Sequence, residues 1–331
     1  MLNGRKRIGA VAATLIALIT ALVGVGLSVA VPAATAKPDL ETAKKQYAQY
    51  EHLAEQASER YNDAQVKLQA TQTKLSALND DLNRQEQVVD AMRKQVATMV
   101  VDQYQGDALS TTSQVVLSSN PDAFLDNLNA VSAYNNQRGQ VMKQFSDELN
   151  RLQLQKSAVQ AEAKRLSALQ DTMAAQKKDT DEKAAKAKAI LDDLEAKARA
   201  QLLSGGTTAV PAVAASGRAA AAVAFAMAQV GKAYVYGAAG PNAYDCSGLT
   251  MRAWGAAGVG LPHSAAAQQG SGTRVSESQL QPGDLVFYYS PVSHVGMYIG
   301  HGLIVSALNP GEGIKVTPLH MMPYVGAVRP G

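Results

Sequence analysis

From Tyr61 to Met99 the chain carries an apolar seam that leaves few ways to fold. Tyr61, Ala64, Leu68, Thr71, Leu75, Leu78, Leu82, Gln85, Val89, Met92, Val96 and Met99 recur at steps of three and four, and ten of these twelve positions are apolar. That period is the a/d repeat of a coiled coil, a stripe that must be buried against another helix. A second seam runs through Phe145, Leu149, Leu152, Lys156, Val159, Ala163, Leu166, Gln170 and Met173. Between residues 38 and 203 the only prolines are Pro38 and Pro121. The seams are separated by "QGDALSTTSQVVLSSNPDAFLDNLN", where Gly106, a Ser/Thr cluster and Asn120-Pro121 break the helix. Asn120 suits a cap, with Pro121 at the first helical position. Residues 37–203 are therefore predicted to form an antiparallel hairpin of two long helices, each about 90 Å for some 60 residues. Val115, Val116, Leu117, Phe124 and Leu125 lie near its turn, off the regular seam. Apolar residues there either close the hairpin or dock a partner.

On either side the composition changes. Arg5, Lys6 and Arg7 precede an apolar run, Ile8 to Ala30, and then Ala34-Thr35-Ala36. This is the pattern of an export signal over residues 1–36 with cleavage before Lys37, although the run is also long enough for an uncleaved anchor. The expected location is outside the membrane, in the cell wall or periplasmic space. Residues 204–216, "SGGTTAVPAVAAS", carry no charge and read as a linker. Residues 217–331 hold only ten Asp, Glu, Lys or Arg and the single tryptophan, Trp254. Helical patterns come first ("GRAAAAVAFAMAQVG", then Cys246 to about Ala257). Short strands follow in "DLVFYY", "HVGMYIG", "GLIVSA", "IKVTPL" and "YVGAVR". The prediction is an α+β domain with a small antiparallel sheet. A net charge of +3 gives no reason to expect a nucleic-acid partner.

Cys246 is the only cysteine of the chain. An exported chain normally pairs its cysteines. A lone one is a buried structural thiol, an intermolecular link or a nucleophile. Placed at the start of a helix, its thiolate is favoured by the free N–H groups and the macrodipole. A base is also needed. Of the five histidines, His52 lies in the rod, and His263, His294, His301 and His320 lie in the α+β domain. His294 opens the alternating run "HVGMYIG" and should be fixed on a strand, whereas His301 sits between Gly300 and Gly302 in the following turn. No His/Cys/Asp cluster has metal-ligand spacing, so neither a metal nor a cofactor is expected.

"AYVYG", "YDCSGL", "LPHSAAAQ", "QPGDLVFY" and "SHVGMYIG", in this order and spacing, resemble the NlpC-type (NlpC/p60-like) family of papain-like cysteine peptidases that cleave peptidoglycan. The coiled half is similar to that of RipC-type actinobacterial cell-wall endopeptidases. The resemblance implies that Cys246 is the nucleophile, His294 the base, and Tyr234 a partner of the cysteine N–H in holding the oxyanion. It places Asp245 and Ser247 on the substrate-facing wall. Ser264 and Ser293 are further candidates there, or else loop-ordering residues. The family's orienting residue, often a histidine, is here Ser306, with Asn309 or Glu312 as substitutes from the loop. The implied reaction is hydrolysis of the D-γ-glutamyl–meso-diaminopimelate bond of peptidoglycan stem peptides. Alternatives are an amidase or acyltransferase of the same fold, or a non-enzymatic wall-binding adaptor. Such coiled-coil hydrolases resemble proteins coupled to the extracellular domain of FtsX in the FtsEX division complex. Here Val116, Leu117, Phe124 and Leu125 are the candidate contacts. A linker of 13 residues reaches only about 20 Å, so the rod is expected to cover the active site until a partner releases it.

Overall fold

A computed structural model describes residues 40–104, 121–194, 196–203, 207 and 215–331. The proposed signal, Val115, Val116 and Leu117 lie outside these residues. Phe124 and Leu125 fall on a helix, but their side chains are also outside the description.

Helix α1 spans Leu40–Tyr104 and α2 spans Pro121–Asp193. They pack against each other along their length as a long helical hairpin. All twelve positions of the first seam are turned at least partly inward. The second seam is corrected by one residue at alternate positions. Leu149, Lys156, Ala163 and Gln170 face solvent, and Glu148, Gln155, Glu162 and Leu169 replace them beside Phe145, Leu152, Val159, Leu166 and Met173. The register follows polar pairing across the hairpin. Gln85 Nε2 donates to the Glu148 backbone carbonyl at 3.2 Å, and Lys74 Nζ pairs with Glu162 Oε2 at 2.8 Å. Both acids reach α1 only if they lie in the seam, and Leu149 is then left 39% exposed.

A short helix α3, Ala196–Leu202, ends the hairpin segment. Thr207 then pairs with Val316 in both directions at 2.9 Å, tacking the connecting segment to the edge of the domain's sheet. The C-terminal part is α+β. Helix α4 is Gly217–Met227, and the two-residue strands β1 (Ala233–Tyr234) and β2 (Ala243–Tyr244) pair in parallel. Helices α5 (Cys246–Ala256) and α6 (Ala265–Gln268) follow. The strands are β3 (Thr273–Val275), β4 (Leu285–Tyr288), β5 (His294–Gly300), β6 (Leu303–Ala307), β7 (Ile314–Pro318) and β8 (Tyr324–Arg329). They form one antiparallel sheet in the order β3-β8-β4-β5-β6-β7. Strand β3 and the β1/β2 pair are additions to the sequence reading.

Alternation along the strands divides the core. Leu285, Phe287, Val295, Met297 and Val305 join Val223, Leu249 and Trp254 of the helices. Val286, Tyr288, Ile304 and Ala327 form a second cluster on the opposite parity. His294 shares that second parity, which puts it at the rim beside β6. Gly300, His301 and Gly302 all have positive φ, and His301, at φ 54, occupies the tight β5–β6 turn away from the chemistry. Among the described residues no helix is long and apolar enough to cross a membrane.

Candidate active site

The segment Asp245-Cys246-Ser247-Gly248 builds the site. Asp245 is the N-cap of α5, and its Oδ1 accepts the Gly248 N–H at 2.6 Å. Such a cap satisfies one of the free N–H groups of the first turn. Gly248 has no substitute, because a Cβ there would overlap the Ala238 carbonyl oxygen. Cys246 is thereby fixed as the first residue of the helix, buried in the cleft between α5 and β5. Asp245 Oδ2 also accepts the Gly237 N–H at 2.9 Å, and Oδ1 accepts His263 Nε2–H at 2.8 Å. His263 thus holds Asp245, away from any role as base.

His294 comes from the first position of β5. Its ring nitrogen and Cys246 Sγ lie within 4.8 Å of each other. Its Nε2 meets Ser306 Oγ at 2.7 Å, and that hydroxyl donates to the Val295 carbonyl at 3.2 Å. With its hydrogen so used, Ser306 accepts from Nε2–H and leaves Nδ1 turned toward the cleft. Gly296 makes this possible, since a Cβ there would stand 2.8 Å from Ile304 Cδ1 and 3.5 Å from Ser306 Cβ, on the face where Ser306 must approach. Asn309 and Glu312 are elsewhere. They bond each other at 3.2 Å, and Asn309 Oδ1 accepts from Tyr47 OH. Tyr234 is buried, and its hydroxyl is pushed well above its ordinary pKa by burial and then by its neighbours Cys246 and Glu55.

The other expected residues divide. Asp245 and Ser247 face the cleft. Ser264 instead caps α6 and accepts the Ala267 N–H at 3.2 Å, the loop-ordering role. Ser293 is buried with its hydroxyl unpartnered.

The cleft is filled by α1. Along one stripe of that helix Tyr47, Glu51, Glu55, Glu59 and Asn62 all meet the α+β domain. Tyr236 OH donates to Glu51 Oε2 at 2.6 Å, and Asn62 Nδ2 donates to Asp245 Oδ2 at 3.0 Å. Glu55 Oε1 makes a very short contact with His294 Nδ1. Glu59 Oε1 accepts Ser247 Oγ–H at 2.6 Å and lies 3.5 Å from Cys246 Sγ, while Oε2 accepts the Ala265 N–H at 2.6 Å. These acids were not among the residues singled out from sequence, and they reverse one expectation. The helix start was expected to lower the Cys246 pKa. The thiol is instead raised well above its ordinary value, first by burial, then by Glu59, Glu55 and Asp245. Glu59 itself is pushed up to about 7, by burial and by the charge of Asp245. Glu55, Cys246 and His294 also form a buried group of metal-ligand type, all three donor atoms within 4.8 Å of one another.

A cysteine at a helix N-terminus facing a histidine on a sheet, itself oriented by a hydroxyl, is the arrangement of a papain-like thiol site. The C-terminal domain belongs to the NlpC/P60 family, whose profile matches residues 231–327. It is similar to a probable endopeptidase of Corynebacterium glutamicum, 46% identical over 101 residues, covering 30% of this chain and 48% of that protein. A probable endopeptidase of Mycobacterium tuberculosis is 44% identical over 118 residues, covering 35% of this chain and 31% of the relative. The chain therefore spans half or less of the length of these curated relatives. Among solved structures, the NlpC/p60 domain of the peptidoglycan hydrolase SagA is 35% identical, with 33% of this chain and 97% of that one covered and a TM-score of 0.32.

Proposed function

We propose that the chain is a secreted peptidoglycan endopeptidase that cleaves the D-γ-glutamyl–meso-diaminopimelate bond and is held inactive by its own helix α1. The observation that carries this reading is the seat of Glu59. A carboxylate rests there on the Ser247 hydroxyl and the Ala265 N–H, 3.5 Å from the thiol. A D-glutamyl residue linked through its γ-carbonyl keeps its α-carboxylate free, next to the bond to be cut. The same donors can hold it there once α1 withdraws.

In this reading His294 Nδ1 takes the thiol proton and Cys246 Sγ attacks the γ-carbonyl. The oxyanion is held by the Cys246 N–H and the Tyr234 hydroxyl, donors of a kind worth about 3 kcal/mol each when preorganised. His294 returns the proton to the leaving amine, which departs with the diaminopimelate side. Water, with His294 again as base, then releases the glutamyl acid from the thioester. Ser306 keeps Nδ1 on the thiol side throughout. None of this proceeds with Glu55 on His294 and Glu59 beside the thiol. Release is assigned to a partner of the rod, the FtsX extracellular domain.

Digestion of purified muropeptides, with products identified by mass, tests both parts. The Glu55→Ala/Glu59→Ala chain should cleave at least about tenfold faster than wild type, because seating α1 has lost two of its charged contacts. Cys246→Ala in that background should cleave nothing. Cleavage by the Cys246→Ala chain sinks the nucleophile assignment, and equal rates for wild type and the double variant sink the inhibition.

A further inference from the structure

The filled cleft holds more negative than positive charge. Glu55, Glu59 and Asp245 converge on it, all buried, and the imidazoles of His263 and His294, with His52 near Glu55, face them. Among the described residues no lysine or arginine pairs with any of the three acids. Buried carboxylates without a matching cation are costly. The donors that cluster there are a thiol, an imidazole and carboxylates, brought together from α5, β5 and α1.

We infer that the closed cleft is a binding site for a thiophilic divalent cation of the zinc class, with Cys246 Sγ, His294 Nδ1 and Glu55 Oε1 as ligands and the fourth position left to water. The donor set suits that ion, which takes four S, N and O ligands at about 2.0–2.3 Å. Three of the donor atoms already lie within 4.8 Å of one another. Tetrahedral ligands at those bond lengths stand about 3.3–3.7 Å apart, so the short Glu55–His294 contact opens as the ion enters. Ser306 supplies the outer hydrogen bond that a metal-bound histidine usually has, on Nε2, and so presents Nδ1. Charge balances on binding. The sulfur binds as thiolate, so the thiol proton of Cys246 leaves as the dication enters.

The site exists only while α1 is seated. Without it the domain offers two donors, one sulfur and one nitrogen. With it there are three, so the ion binds the closed form more tightly and clamps α1 in place. The inference needs the closed arrangement alone and holds whether or not the domain cuts peptidoglycan.

Cobalt(II) reports such a site optically, so the test needs no substrate. The chelator-treated full chain is titrated with Co²⁺, and the bound Co²⁺ is then displaced with Zn²⁺. Wild type should take up one equivalent, show a thiolate-to-cobalt charge-transfer band with intense tetrahedral visible bands, and lose both as zinc is added. Cys246→Ser should lose the charge-transfer band. Glu55→Ala and the size-conserving Glu55→Gln should each bind at least about tenfold more weakly, with helical content checked by circular dichroism. Absence of the band in wild type overturns the inference. So does wild-type affinity in both Glu55 variants, because the ion would then sit on the cysteine and histidine without the helix.

Discussion

Glu59 links the closed cleft to pH. It faces Asp245, Cys246 and His263, with Glu55 and His294 the remaining charged groups at the same spot. Its carboxyl is pushed up to about 7 by burial and by Asp245. His263 also moves up; burial opposes its charge, but the hydrogen bond to Asp245 and that acid's charge outweigh it. The thiol is raised by burial and then by Glu59, Glu55 and Asp245. Glu59 and the thiol therefore hold their protons more tightly with α1 seated than with the cleft open, and linkage favours the seated state in acid. The Glu59 contribution is complete below the open-state value of about 4.3 and is lost as pH rises through about 7. The thiol works in the same direction at higher pH. In metal-free protein the ratio of wild-type to Glu59→Ala cleavage rates should rise at least about tenfold between roughly pH 5.5 and 8. A ratio that stays flat would remove Glu59 from control. Taking the ratio cancels the pH dependence of the chemistry itself.

Helix α1 works on two faces, and the sequence disclosed them unequally. The seam from Tyr61 to Met99 was plain because its period has one physical meaning. The second seam was misplaced by one residue because two glutamates and a glutamine occupy three of its nine positions. Hydrophobicity chose Leu149, and cross-hairpin hydrogen bonding chose Glu148. Leu152→Ala should therefore destabilise the hairpin by about 1–2 kcal/mol, below the loss for a fully buried leucine because the position stays partly exposed. Leu149→Gln should change its thermal midpoint little. Similar shifts for the two would contradict the observed register. The motifs around Cys246 and His294 were legible because each residue there is locally constrained, Asp245 as cap and Gly248 by the Ala238 carbonyl. The domain-facing stripe was not legible, since its partners lie far along the chain. One local sign did exist. Glu51, Glu55 and Glu59 stand four residues apart, and like charges at that spacing weaken an isolated helix. Within α1, Asn62 donates to Glu59 Oε1 at 3.3 Å, and from the domain Tyr236, His294 and Ser247 meet the three acids in turn.

At the scale of the whole molecule, the stripe that fills the cleft and the face that builds the hairpin belong to one unbroken helix of 65 residues, about 100 Å long. In the proposed reading, a partner bound toward the far end of the hairpin acts on Glu55 and Glu59 without touching the cleft. If the FtsX extracellular domain docks there, Phe124→Glu should weaken that binding with the helical signal unchanged in circular dichroism. Unchanged affinity would remove Phe124 from the docking surface. The enclosed thiol has a further consequence. A lone cysteine in an oxidising compartment has no disulfide to shelter in, and peroxide attacks the exposed thiolate first. Cys246 is 1% exposed and kept in its thiol form by burial and by the acids around it. In the proposed closed state, the helix that withholds the sulfur from substrate also withholds it from oxidants. It acts as a preservative, keeping the only cysteine of the chain chemically fresh until it is uncovered.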